Sequence, residues 1–161
     1  MPPAGWVSIS ACSAATPVMP EATTQTVLAF DYGERKIGVA SGQSLTGTAN
    51  PLITLPCPSG QLPWPALQAL IGEWQPDTVV VGLPLNMDGS DSPISQRARR
   101  FARQLHGRFA VPVAMVDERL STREARAELG ERLRPGGDPR VDSLAAALFI
   151  ESYFRDGGTP P

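Results

Sequence analysis

The stretch that decides the fold is residues 26–41, which read TVLAFDYGERKIGVAS. In its first half, Asp31 shares one face of an alternating pattern with Val27 and Ala29, and apolar residues occupy the other face. A two-residue period of this kind predicts a strand with two buried faces. A glycine then breaks the pattern, and residues 35–41 predict a second strand after a short turn. We therefore expect a β-hairpin whose first strand ends at a carboxylate.

The segments that follow the hairpin have the order expected of an α/β protein. Residues Thr48 to Leu55 predict a third strand, and Pro51 within it favours an edge position. Apolar runs and helical spacing then predict, in chain order, a helix over 64–74, a strand over 77–81, a helix over 92–107, a strand over 111–116, a helix over 121–131, and a last helix that begins after Asp138 and Pro139. An antiparallel beginning followed by parallel crossovers is thus predicted.

Length and composition favour one domain of ordinary size. The chain has 161 residues, of which 42% are hydrophobic and 19% charged, as in folded globular proteins. Residues 1–25 are rich in Pro, Ala, Ser and Thr and predict a disordered tail. A start of translation at Met19 is an alternative hypothesis for this segment. We expect the folded domain to occupy residues 26–156, followed by a flexible C-terminus at residues 157–161.

Several classes of protein are excluded by what the sequence lacks. No stretch contains the roughly 20 apolar residues that span a bilayer, and the start of the chain does not resemble a signal peptide. A cytoplasmic protein without a membrane partner is therefore expected. The cysteines, Cys12 and Cys57, have neither CxxC spacing nor histidine-rich surroundings, which argues against a disulfide framework and a zinc site.

The net charge of −2 conceals a basic segment. Residues 97–140 carry eleven arginines against six acidic residues. Clustered arginines attract phosphates, although the same pattern also suits solvated helix faces with salt bridges. The candidate nucleic-acid contacts are Arg97, Arg100, Arg119, Arg123, Arg134 and Arg140. For Arg119 and Arg123 in particular, a salt bridge is an equal alternative.

Three acidic residues stand where predicted strands end or a helix begins. They are Asp31, Glu118 and Asp142. Carboxylates gathered near a core repel one another unless a positive charge neutralises them, and an all-oxygen donor set favours Mg²⁺ or Mn²⁺. Taken singly, each acid also has an ordinary role in a turn, a surface ion pair or a helix N-terminus. Asp117 alternates with Glu118, so only one of these two neighbours is expected to reach the site.

Four motifs together carry a family resemblance. The strings FDYGERKIGVA (30–40), VVVGLPLNMDGS (79–90), VDERLST (116–122) and VDSLAAALFIE (141–151) occur in this order. They resemble the YqgF/RuvX family of bacterial Holliday-junction-resolvase or pre-16S ribosomal RNA nuclease proteins, over nearly all of the expected domain. One departure is that arginine replaces lysine almost everywhere, since Lys36 is the only lysine.

The resemblance implies an RNase H-like fold, a five-stranded mixed sheet with the first strand at its centre and helices around it. It also implies a divalent-metal-dependent phosphodiesterase whose catalytic and metal-binding residues are Asp31, Glu118 and Asp142. Precursor 16S rRNA is the substrate that it implies, in rRNA processing and ribosome biogenesis, and branched DNA is the second option. Junction cleavage calls for a symmetric dimer, and we expect a monomer or a weak homodimer.

Two further classes of function remain open on the sequence alone. The hairpin also resembles the phosphate-binding hairpin of ATP-dependent sugar kinases, although one domain of this length supplies only half of their cleft and no Walker-type motif is present. A non-catalytic nucleic-acid-binding or transcription-associated protein on the same scaffold is the other alternative, because a fold does not fix a function.

Overall fold

A five-stranded mixed sheet forms the centre of the protein, in a computed structural model that describes residues 24–119 and 140–161. The strands are β1 (Thr26–Asp31), β2 (Lys36–Gln43), β3 (Thr48–Pro56), β4 (Thr78–Leu83) and β5 (Val113–Asp117). Their order in the sheet is β3-β2-β1-β4-β5. β1, β2 and β3 pair antiparallel, whereas β4 pairs parallel with both β1 and β5. The predicted α/β class, the mixed sheet and the central first strand are confirmed.

The helices cover both faces of the sheet. Those described are α1 (Trp64–Trp74), α2 (Pro93–Phe109) and α3 (Arg140–Asp156), with a short 3-10 turn at Pro58–Gly60. Leu67 of α1 and Phe101 of α2 pack in the same buried cluster as Phe30 of β1. On the opposite face, Phe149 and Ile150 of α3 pack with the other side of β1. The sheet is therefore the middle of three layers.

Strand β1 is buried on both faces, as its sequence predicts. Leu28 and Phe30 belong to the cluster beneath α1 and α2, while Val27 and Ala29 belong to the cluster beneath α3. All four side chains are fully buried. Alternation along the strand places Asp31, the next residue of the second set, on the α3 side.

Helix α2 begins with the capping signal that its sequence predicts. Ser92 is the N-cap, and its side chain and that of Ser95 each bond the other residue's backbone N–H, with Pro93 at the first helical position. At the other end, His106 Nδ1 lies 2.9 Å from the carbonyl oxygen of Val111, which ties the helix to the approach of β5.

The two edges of the sheet are protected in different ways. At β3, Pro51 removes one backbone donor and lies beside a register shift between Val39 and Ala40 of β2. At β5, Met115 exchanges both backbone hydrogen bonds with Thr159, at 2.7 and 2.9 Å. Thr159 belongs to residues 157–161, for which the sequence predicts a flexible end. This segment bonds the backbone groups that the edge strand would otherwise leave unpaired.

Several sequence predictions fall outside the described residues. These are the tail before residue 24, the helix over 121–131, the helix cap at Asp138 and Pro139, and the arginines at 123 and 134. Within the described ranges, no helix has the length and apolar character needed to cross a membrane.

Candidate active site

The three predicted acids lie at one end of the sheet. Asp31 is the last residue of β1, Glu118 follows β5 directly, and Asp142 lies in the first turn of α3. The parallel pairing of β1 with β4 and of β4 with β5 places the ends of all three strands at the same edge. Each acid thus arrives from a different element at the same edge of the sheet.

Gly38 allows α3 to begin directly on the sheet beside Asp31. Gly38 is the cross-strand partner of Asp31 in the hairpin. A Cβ atom at Gly38 would collide with the backbone carbonyl group of Asp142 and lie 2.8 Å from its Cβ. Only a residue without a side chain permits this approach. Asp142 therefore lies over β2, the strand next to the one that carries Asp31.

Gly82 has the corresponding role on the other side of Asp31. Phe30 pairs with Val81, so Gly82 follows at the level of Asp31 on β4. A Cβ atom at Gly82 would collide with the ring of Phe149 and lie 2.9 Å from Glu118 Oε1. Asp31 is therefore flanked by two glycines on neighbouring strands, and the Asp142 and Glu118 side chains approach over them.

Lys36 is a member of this site that sequence reasoning missed. Its Nζ lies 2.8 Å from Oδ2 of Asp142, and the side chains are 49% and 23% exposed. Oδ2 is itself buried and has no hydrogen-bond partner among the described residues, because the ammonium group is close but poorly aligned. The sequence feature that could have drawn attention to Lys36 is that it is the only lysine of the chain.

The donor chemistry of the site fits a hard divalent cation. Carboxylate oxygens are the ligands that Mg²⁺ and Mn²⁺ prefer, and the buried Oδ2 of Asp142 is short of partners. The side chains are not gathered as closely as metal ligands, since within residues 24–119 and 140–161 no three Asp, Glu, His or Cys side chains form such a group. Asp142 is instead drawn toward Lys36 on β2.

Asp117 points away from the site and binds Arg119. The guanidinium of Arg119 contacts both oxygens of Asp117, at 2.8 to 3.2 Å. Partial burial acts to raise the pKa of Asp117, but the hydrogen bonds and charge of Arg119 outweigh it and leave that pKa below its ordinary value. Asp117 is thus engaged by Arg119, and the assignment of Glu118 as the neighbour that reaches the site stays a prediction.

Arg119 also holds the loop between β4 and α2. Its Nη1 donates to the carbonyl oxygens of Asn86 and Met87, at 3.4 and 3.2 Å, and its guanidinium lies over Gly89. Of the two roles that the sequence leaves open for Arg119, the salt bridge is the one seen. Arg119 also fastens the loop through residues that lie more than thirty positions away in the chain. No local sequence pattern predicts that contact.

The other candidate arginines differ in their surroundings. Arg97 pairs with Glu34. Arg100 is exposed and has no ion pair among the described residues. Arg140 is the first residue of α3, and its side chain lies outside the described part of the protein, as do Arg123 and Arg134. Arg99, which the sequence does not single out, pairs with Asp91.

Comparison with known protein families covers nearly the whole described domain. The RuvX family model, described as Holliday junction resolvase, matches residues 25–156. A protein of Saccharophagus degradans is 52% identical over 142 residues, which is 86% of this chain and 99% of that protein. One of Alcanivorax borkumensis is 57% identical over 128 residues, which is 80% of this chain and 94% of that protein. Both carry the name "Putative pre-16S rRNA nuclease".

Solved structures support the same fold. Thermus thermophilus RuvC, in a complex with a Holliday junction substrate, superposes with a TM-score of 0.54 at 18% identity and covers 85% of this chain and 99% of its own. A second structure of that RuvC gives a TM-score of 0.52, also at 18% identity, with 84% and 99% covered. The sheet order is thus the RNase H-like arrangement that the motifs imply. With the family model and the relatives above half identity in agreement, the chain belongs to the RuvX family.

Proposed function

We propose that this nuclease hydrolyses phosphodiester bonds with a divalent cation held by Asp31, Glu118 and Asp142. The observation that carries the proposal is the pair of glycines on either side of Asp31, over which the other two acids approach. The helix dipole and Lys36 both stabilise a carboxylate at the start of α3, and its position over Gly38, beside Asp31, adds the argument for a functional role. Three acids supplied by three elements at one end of the sheet are suited to metal-assisted chemistry, which requires their side chains to close on the cation.

The chemistry divides between the cation and the side chains of the chain. Mg²⁺ or Mn²⁺, when bound, supplies Lewis-acid polarisation of the phosphate and lowers the pKa of the attacking water. Asp31, Glu118 and Asp142 provide the oxygen donors. Lys36, 2.8 Å from Asp142 Oδ2 and half exposed, adds a positive charge at the rim where a phosphate would approach.

We propose the 5′ region of precursor 16S rRNA as the substrate, which places the protein in rRNA processing. The support is the name shared by relatives that are 51 to 57% identical to this chain. The candidate contacts named from the sequence would hold the strand through its phosphates, a contribution that is independent of base sequence and sensitive to salt. They are Arg97, Arg100, Arg119, Arg123, Arg134 and Arg140.

A branched DNA junction is the second candidate substrate, because the matching family model is described as Holliday junction resolvase. Cutting a junction symmetrically takes two active sites in one assembly. A monomer or weak homodimer, as we expect here, therefore favours the RNA. A non-catalytic binding protein is the least favoured alternative, because a protein that only binds polyanions gains nothing from acids beside the phosphates.

The test is cleavage by the purified full chain of a precursor 16S rRNA 5′ fragment and of a four-way DNA junction, with Mg²⁺, Mn²⁺ or chelator. We expect metal-dependent cutting of the RNA, and Asp31→Asn, Glu118→Gln and Asp142→Asn should each lower the rate by about 100- to 1000-fold. Light scattering of the same samples reports whether dimers form.

The matched control is Glu73→Gln, which removes the same charge as Glu118→Gln from an exposed position on α1. It should leave cleavage unchanged. Cutting that persists in chelator, or that survives all three site variants, would refute the metal-carboxylate mechanism. Faster cutting of the junction than of the RNA would show that branched DNA is the preferred substrate.

A further inference from the structure

A pocket lies on the other face of the sheet, close to the candidate site. Its volume is about 490 Å³, within the range of small-molecule sites. Its lining includes Tyr32, Trp64, Arg97, Arg100, Phe101 and Gln104. The lining therefore combines aromatic rings, two guanidinium groups and an amide, which are the groups that bind nucleotides in proteins.

The aromatic part of the lining is a packed group of rings. The rings of Tyr32 and Phe101 are 5.2 Å apart between centroids, and those of Trp64 and Phe101 are 6.2 Å apart. Phe101 is buried, while Tyr32 and Trp64 are half-buried and present part of their surface to the pocket. One face of the Trp64 ring is covered by the Arg108 guanidinium, 4.0 Å from the ring centroid. Tyr32, supported from beneath by Phe101, therefore offers the aromatic surface that a base can contact.

One of the two arginines in the lining has no ion pair among the described residues. Arg97 pairs with Glu34, whereas Arg100 has no ion pair among the described residues. Both belong to α2, one turn apart, and both are exposed. An arginine without a carboxylate partner beside aromatic rings leaves its forked donors available for a phosphate.

The pocket adjoins the candidate site along the backbone of β1. Tyr32 directly follows Asp31, and alternation turns their side chains to opposite faces of the sheet. A nucleic-acid strand whose scissile phosphate lies over Asp31 would therefore pass the end of β1. Its neighbouring nucleotide would then reach the face of the sheet on which Tyr32 lies. The base must be free of a partner strand to enter a pocket of this size.

We propose that the pocket formed by Tyr32, Arg97, Arg100 and Phe101 binds one unpaired nucleotide of the substrate strand, next to the cleaved bond. Its base lies against the rings and its phosphate on Arg100. The inference rests on the proposed nuclease function and adds the requirement for a single-stranded segment beside the cleavage point. Arg100 is then a substrate-binding residue that tells unpaired from paired strands.

The experiment measures binding in chelator, so that no cleavage occurs, by fluorescence anisotropy of a labelled 12-nucleotide RNA, the same DNA sequence, and the corresponding duplexes. Arg100→Gln should weaken binding of the single strands about tenfold, the value of one charged hydrogen bond, and change duplex binding less than twofold. The RNA and DNA arms report which sugar the pocket prefers. Tyr32→Leu, which keeps an apolar side chain but removes the ring, should weaken the same single strands.

Arg103→Gln is the matched control. It removes the same charge from the same helix, and Arg103 is exposed and lies outside the pocket lining. It should leave single-strand binding within about twofold of the native value, since an isolated surface charge contributes little. Equal losses in the two arginine variants, or equal affinity for single and double strands, would overturn the proposal.

The outcome is separable from that of the nuclease proposal. Asp31→Asn should lower the cleavage rate by about 100- to 1000-fold and keep single-strand binding, whereas Arg100→Gln should raise KM with little change in kcat. If no variant cuts any substrate but Arg100→Gln still weakens single-strand binding selectively, the pocket stands and the catalytic proposal fails. If the native protein cuts but Arg100→Gln has no selective effect, the catalytic proposal stands and the pocket fails.

Discussion

At the scale of single residues, the site depends on two glycines, which have no side chain, as well as on its acidic side chains. Gly38 and Gly82 leave the room in which Asp142 and Glu118 approach Asp31. Neither glycine has a positive φ, so the reason for glycine at these two positions is space and not backbone conformation. A methyl group at either position would displace a functional side chain or the helix that carries it.

We predict that Gly82→Ala destabilises the protein by about 1 to 3 kcal/mol and slows cleavage, because the new Cβ collides with the ring of Phe149 and crowds Glu118. Urea unfolding and the cleavage assay measure the two effects. The matched control is Gly72→Ala on α1, where nothing lies within 4 Å. It should raise stability by up to about 1 kcal/mol, the difference in helix propensity. An unchanged stability in Gly82→Ala would contradict the close packing at this glycine.

Asp117 gives a prediction about pH. Its folded-state pKa is lowered, since Arg119 outweighs the effect of burial, so its ion pair contributes stability above the unfolded pKa of about 3.9. That contribution is lost as pH falls through the lower folded value. Asp117→Asn should therefore lower Tm at pH 7, and the difference from the native protein should shrink toward pH 3.

Thermal melts from pH 7 to pH 3 measure this change. Glu73→Gln serves as the control, because Glu73 is exposed and has no ion pair among the described residues. Its Tm should follow that of the native protein across the range. A constant Tm difference between Asp117→Asn and the native protein at all pH values would show that charge on Asp117 does not stabilise the fold.

At the scale of elements, helix α2 links the loop after β4 to the pocket and the core. Ser92 and Ser95 cap its start reciprocally, and the hydroxyl of Ser95 also donates to the carbonyl oxygen of Pro84. The same helix carries Phe101 into the core and Arg97 and Arg100 to the pocket. The cap therefore sets where the arginines lie relative to the end of β1.

We predict that Ser92→Ala lowers the free energy of unfolding by about 1 kcal/mol, the usual value of an N-cap. Ser95→Ala should also destabilise, because it leaves the carbonyl of Pro84 without this partner. Since the two hydroxyls act on each other, the double variant should lose less than the sum of the single losses. Urea unfolding of the four proteins completes the cycle, and strict additivity would refute a reciprocal cap.

At the scale of the whole molecule, the sheet has two edges and the chain protects both. β3 carries Pro51 in its middle, and β5 is bonded by the segment that ends the chain. The contact between Thr159 and Met115 closes the side of the sheet from which Glu118 emerges. Protection of this edge therefore also supports the strand that positions a candidate catalytic residue.

We predict that deleting residues 158–161 lowers the free energy of unfolding by about 1 to 3 kcal/mol, for two backbone hydrogen bonds. It should also increase self-association, because the edge of β5 is then free to pair with other chains. Urea unfolding and light scattering measure the two effects. Thr159→Ala is the control and should stay close to the native protein, since it keeps both backbone bonds and removes only the long bond, 3.5 Å, from the Thr159 hydroxyl to the Met115 carbonyl. Similar losses in both variants would show that the backbone bonds are not the cause.

Much of the fold could be predicted from the sequence, because its signals are local. The alternation in TVLAFD indicates a strand buried on two faces, the proline in the third strand indicates an edge, and Ser92 before Pro93 indicates a helix start. The positions of the three candidate acids at element ends could also be predicted, while their role as a site stays a prediction. What local pattern cannot supply is the distance between groups far apart in the chain.

By itself the sequence determined the elements, their order and the acids at their ends, because strand and helix periods depend only on near neighbours. The tertiary structure alone decided that Lys36 meets Asp142, that Arg119 fastens the loop at Asn86 and Met87, and that Arg100 lines a pocket beside Tyr32. The physical reason is that each of these contacts depends on which strands pair and on which face each helix packs. Strand pairing and helix packing are determined by the buried core as a whole and not by any one segment.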